Sequence, residues 1–240
     1  MLSYLANPAR FMAVSAWAAP PLLALAAALF AIGLPWGLFL APAERFQGDT
    51  ARIMYVHVPT AWAALLCFTC AFVAAIGSLW TGRERWDATL VGASEAGVVL
   101  NGLLLVQGSL WGRATWGVWW DWDPRLTSEL VLLFLYLGVI GLNAAIEDRR
   151  AAARAAGFLA IVGVVLLPVI RYSVTWWNSL HQGATIKLLG ESTMDASMMW
   201  PLWVMVLATK FWFIGSLLQR ARVDNLARES GKDWALASAG

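Results

Sequence analysis

The sequence predicts an all-α polytopic membrane protein, a single transmembrane domain over residues 1–240 with six spanning helices and both termini cytoplasmic. Three observations carry that prediction. The chain is 60% hydrophobic and 13% charged, against roughly 25% charged for a soluble chain, so it lacks the polar residues to cover a globule. Six apolar stretches each approach the roughly 20 residues that a spanning helix needs. Basic residues fall unevenly between the intervening loops, as the positive-inside rule requires of an oriented chain.

The first stretch, 17–40, precedes Ala41-Pro42-Ala43, which mimics a signal-peptidase site. Its length exceeds the roughly 7 to 15 residues of a signal core, so it reads as an uncleaved helix. The second, 57–80, contains Cys67 and Cys70 at a redox-like spacing, but halfway along an apolar run a thiolate is poorly solvated and both read as small buried hydrophobes. The third, 88–111, carries Glu95, Asn101 and Gln107. Steps of six residues turn each by about 240° on a helix, so the three face different ways and suit interhelical hydrogen bonds better than a polar pathway. The fourth, 126–146, is opened by Asp123 as N-cap with Pro124 at the first helical position. The fifth, 155–172, and the sixth, 198–218, complete the set, and the arginines after 219 read as a solvated end.

With the N-terminus inside, the inner segments hold Arg10, Arg83, Arg85, Arg149, Arg150, Arg154, Arg220, Arg222, Arg228 and Lys232. Arg45, Arg52, Arg113, Arg125, Arg171 and Lys187 lie outside, and Lys210 falls within the last span. The outer loops are then about 41–56, 112–125 and 173–197. The net charge of +2 is too small and too scattered for a nucleic-acid partner. No G-x-x-x-x-G-K-[ST] occurs, so an ATP-driven step would belong to a partner.

The 16 tryptophans are distributed in a way that an aromatic belt does not explain, since a belt populates both interfaces. Eleven fall toward the outer side and five, Trp17, Trp80, Trp86, Trp212 and Trp234, toward the inner. Five of the outer set crowd into W-G-R-A-T-W-G-V-W-W-D-W-D-P-R-L-T from Trp111. If that segment is helical, Trp116, Trp119, Trp120 and Trp122 form one broad aromatic face along the membrane surface. Half-burying four such rings gains on the order of 8 to 12 kcal/mol before ordering costs, enough to hold a flat apolar ligand that must later be released.

The chain has two histidines, and both fall on that side: His57 in R-I-M-Y-V-H-V-P-T and His181 in Y-S-V-T-W-W-N-S-L-H-Q-G. Imidazole is the usual protein ligand to haem iron, and a porphyrin is a planar body on which indoles stack. The expected site therefore has His57 and His181 as axial ligands of haem b carried as cargo, with Trp116, Trp119, Trp120 and Trp122 as the platform. Arg52 and Arg125 are placed to pair with the propionates. Asp121, between two tryptophans, has no evident partner.

W-G-V-W-W-D-W-D-P-R-L-T-S-E-L-V-L-L-F-L-Y resembles the tryptophan-rich WWD signature of haem-handling membrane proteins of cytochrome c maturation. Among them the length, six spans and outer His pair are most similar to the CcmC family. Where the family usually has an apolar residue and a small residue, this chain has Asp121 and Pro124. The resemblance implies a bacterial inner-membrane protein that holds haem at the periplasmic face through the residues matching His57 and His181. It implies presentation of that haem to the chaperone CcmE, with the ABC transporter subunits CcmA and CcmB and the small membrane protein CcmD as further partners. A haem-lyase-like transfer role, without nucleotide hydrolysis by this chain, accompanies it. The rival is a haem b subunit that oxidises quinol, which usually needs axial His at membrane depth and often more than one pair. A third reading is a structural subunit anchored by its tryptophans.

Overall fold

In the computed structural model, residues 7–181, 183, 192 and 194–231 are described. Lys187, Lys232, Trp234 and Gln182, with most of the outer loop that follows His181, lie outside them. The described chain is helical: α1 (Pro8–Pro35), α2 (Met54–Thr81), α3 (Glu84–Trp116), α4 (Pro124–Ala145), α5 (Arg149–Gly163), α6 (Leu166–Trp176) and α7 (Ala196–Arg228). A π-turn (Trp36–Leu40) extends α1, and a 3-10 turn (Asp49–Ile53) leads into α2. Six segments are long and apolar enough to cross a membrane, with α5 and α6 together making the fifth.

The spans overrun the apolar stretches at several ends. The second runs Asp49–Thr81, the third Glu84–Trp116 and the sixth Ala196–Arg228, because polar and aromatic residues continue a helix that hydropathy alone ends too early. The last overrun corrects the reading of the residues after 219 as a solvated end. Arg220 bonds Glu95 of α3, Arg222 donates to Met12 O of α1 at 2.6 Å, and Arg228 bonds Glu84 at 3.1 Å. These arginines tie α7 to its neighbours at the end of the bundle opposite the histidines.

The fifth span breaks where Pro168, early in α6, cannot donate the hydrogen bond that a continuous helix would require of it. Leu167 N instead reaches Val164 O at 3.0 Å, a tightened turn that joins α5 to α6. Elsewhere the bundle packs closely through small residues. Ala63, Ala64, Ala71, Ala74 and Ala75 of α2 meet Ala156 and Ala160 of α5 in one core with Leu132, Tyr136 and Val139 of α4. Close backbone approach of this kind drives helix association in lipid. The Tyr136 hydroxyl satisfies its donor on Ala64 O at 2.5 Å.

Cys67 is fully buried in that core and Cys70 is half-buried, both as free thiols. Two of the three polar residues on α3 make the expected interhelical bonds. Glu95 pairs with Arg220, and Asn101 donates to Glu129 of α4 at 3.2 Å.

Candidate functional site

The site lies at the end of the bundle where α2, α4 and α7 begin and α3 and α6 end. Gly117 ends α3: at φ +80° it occupies the left-handed region, where a side chain would be strained. Residues 118–123 then run without helix until Asp123 caps α4, its Oδ1 accepting from Leu126 N at 2.7 Å beside Pro124. The cap is the one expected from the sequence. The helical aromatic face is not: Trp116 closes α3, whereas Trp119, Trp120 and Trp122 sit on the irregular stretch. The tryptophans therefore form walls at several angles, with Trp120 and Trp122 meeting edge to face at 5.5 Å.

His57 lies in the first turn of α2 and is 8% exposed. His181 follows α6 by a short loop. The two rings come together, with centroids 6.3 Å apart and planes inclined by 35°. Trp111 meets His57 edge to face at 5.4 Å, and Trp116 packs on His181 at 5.7 Å. Both Nδ1 atoms are buried without a hydrogen-bond partner among the described residues. A buried polar atom left unpaired is costly, and here two of them stand on neighbouring rings. Gly108 makes room for this arrangement: a Cβ there would stand 3.2 Å from His57 Cε1.

A cavity opens beside the two rings. His57, His181, Trp120, Arg125 and Glu129 give it polar and aromatic character, and Ala61, Leu104, Leu105 and Leu126 complete its apolar wall. An adjoining cavity shares Gly108, Trp120, Leu126 and His181 and adds Trp116 and Trp119. Trp122 lines neither and is exposed. Burial holds the His181 imidazole well below its ordinary range, to about 4, with the Arg125 guanidinium acting in the same direction and Asp123 opposing it. At neutral pH that ring is uncharged, with a nitrogen lone pair to offer.

Arg125 projects from the first turn of α4 into the first cavity. Arg52 does not join it. Its guanidinium bonds Asp49 at 2.8 Å and Leu38 O at 3.1 Å, fastening the start of the second span to the end of the first. Trp111 Nε1 adds a second fastening, to Gln47 Oε1 at 2.9 Å.

The family described as CcmC: Heme exporter protein C matches residues 1–236. The chain belongs to the CcmC family. It is 42% identical to heme exporter protein C of Escherichia coli K12 over 236 residues, covering 97% of this chain and 94% of that one. It is 42% identical to the protein of the same name from Bradyrhizobium diazoefficiens, covering 93% and 85% of the two chains. The corresponding protein of Haemophilus influenzae is 41% identical over 88% of this chain and 86% of its own.

Sequence reasoning passed over two residues of this CcmC-family site. Glu129 lies within S-E-L at the head of the fourth span, and a carboxylate inside a span was itself a signal. Gly108 gave no signal, since nothing in the sequence shows that His57 packs against it.

Proposed function

We propose that this chain holds haem as cargo between His57 and His181 at the periplasmic face of the bacterial inner membrane and presents it to the chaperone CcmE during c-type cytochrome maturation. The observation that carries the reading is the 6.3 Å between the two ring centroids. An imidazole nitrogen binds a metal at about 2 Å, so two rings on opposite sides of one ion stand about 6 to 6.5 Å apart. Among the described residues no group of three or more His, Cys, Asp or Glu could hold a bare metal ion. Two protein ligands suit an iron whose other four positions a porphyrin fills.

The remaining residues fit such a cargo. Trp116, Trp119 and Trp120 offer indole surface beside the rings, and the leucines of α3 exclude water. Arg125, which faces the same cavity as the two histidines, pairs with a propionate. Arg52 serves this site indirectly by fixing the approach to α2. Haem, as cargo, would bring the vinyl group through which the chaperone takes it up. The chain's own residues would hold the iron through the two imidazoles and pack indole surface around the ring.

The names of the relatives, heme exporter protein C, support a role in haem export. They support further subunits, which we take to be CcmA, CcmB and CcmD; the uneven distribution of basic residues supports both termini in the cytoplasm. A quinol-oxidising subunit is disfavoured because both histidines of the chain meet at one end of the bundle. Co-purification with CcmE tests the reading: the wild-type chain carries haem into the complex, and His57→Ala, His181→Ala and Trp119→Ala lower the haem bound to CcmE. Equal loading of CcmE in all four would overturn it.

A further inference from the structure

Glu129 is a carboxylate in the second turn of α4, inside an apolar span, and is 5% exposed. A buried ionisable group in a span is costly and needs a partner. Two other acids within the spans have cationic ones: Asp87 lies 3.6 Å from Arg150, and Glu95 bonds Arg220. Glu129 has no cation within ion-pair distance among the described residues. Its hydrogen bond comes from a neutral donor, Asn101 Nδ2, at 3.2 Å. Asn101 and the more distant Arg125 offset only part of the cost of burying its charge.

Its position supplies the explanation. Glu129 lines the cavity between His57 and His181, with Arg125 one turn earlier on the same helix and on the same cavity. Two neutral imidazoles and a porphyrin dianion leave a ferric centre with one positive charge and a ferrous centre with none. We infer that Glu129 is the internal counter-charge of the iron held between His57 and His181, and biases the bound haem toward the ferric state. The inference rests on the ligand assignment proposed above.

The equilibrium it acts on is one electron added to Fe(III) to give Fe(II), with no bond made or broken in the protein and the electron supplied by an external mediator. In its ionised form Glu129 places a negative charge beside the iron, and in a medium of low effective dielectric that charge disfavours the more negative, reduced state. The Arg125 guanidinium acts in the opposite sense, so the two side chains set the balance between them.

Spectroelectrochemical titration of the purified, haem-loaded full chain at neutral pH tests this. Glu129→Gln keeps the shape and removes the charge, and should raise the ferrous-to-ferric ratio at a given potential about tenfold or more, an upward shift of about 59 mV for one electron. Glu129→Asp draws the carboxylate back by one methylene and should fall between wild type and Glu129→Gln. Arg125→Gln should shift the ratio the other way. If Glu129→Gln does not accumulate as folded protein, Glu129→Asp decides, because a midpoint equal to wild type overturns the inference. An unchanged midpoint in Glu129→Gln with its two-imidazole spectrum intact also overturns it, leaving the ligand assignment standing. Failure of that assignment shows differently, as no two-imidazole spectrum in the wild type.

Discussion

Ser179 and Asp123 join the two loops of the site: the Ser179 hydroxyl donates to Asp123 Oδ2 at 2.5 Å and accepts from the backbone N–H of His181 at 3.0 Å. Asp123 is 6% exposed and uses its other oxygen to cap α4. One carboxylate thus orders the helix that carries Arg125 and Glu129, and fixes the loop that carries His181.

Removing that hydroxyl should loosen His181 without touching the ring. A hydrogen bond to a charged group contributes about 1.5 to 3 kcal/mol, so Ser179→Ala should weaken haem retention by roughly 10- to 100-fold, while Ser179→Thr restores it. Dissociation of haem to an excess of apo-myoglobin measures both. Equal rates for wild type and Ser179→Ala would show that the tether is unimportant.

Gly108 should not tolerate a side chain. Its missing Cβ is the space beside His57 Cε1, and overpacking typically costs about 1 to 3 kcal/mol. Gly108→Val is expected to fold, because the position lies at the cavity and not in the alanine-rich core, yet to displace His57 and change the Soret position. Gly102, with open space around it, is the control: Gly102→Ala should leave the spectrum as it is.

His181 should titrate far below an ordinary imidazole in the haem-free protein. Its folded value is lowered from 6.5 to about 4, first by burial, so the neutral ring is favoured in the folded loop. Its contribution to stability is then fully present above 6.5 and is lost as pH falls from there toward 4. With two histidines in the sequence, 15N-histidine NMR can follow the ring directly. A midpoint near 6.5 would contradict its buried placement.

At the opposite end of the bundle, the Glu95 and Arg220 side chains are 37% and 38% exposed, so their pair is worth little more than a surface bridge once screening is allowed for. Glu95→Gln should lower Tm by no more than about 2 to 4 °C, the shift expected of roughly 1 kcal/mol in a chain this size. Haem spectra should not change, since the pair is remote from both cavities. A lost Soret band in this variant would mean that the two ends are coupled.

The spans were legible because lipid demands long apolar runs, and Asp123 with Pro124 announced the start of α4 by ordinary capping chemistry. The histidines and tryptophans were legible as a set because their residue types are expensive to place without use. What was not legible depends on the third dimension. The left-handed turn at Gly117 stops α3 and spoils the helical aromatic face. Arg52 sits five residues before His57, yet a 3-10 turn aims it at Asp49 and Leu38 O instead of the cavity. Glu129 was in plain view as an acid within a span, and only its placement beside both histidines gives it a use.

The central claim is that His57 and His181 bind one iron from opposite sides. Electron paramagnetic resonance of the purified ferric protein, with its Soret spectrum, tests it most directly. Wild type should give a low-spin two-imidazole signal, and His57→Ala and His181→Ala should each convert it to high-spin or lose haem altogether. A wild-type signal that survives unchanged in either variant would contradict the account.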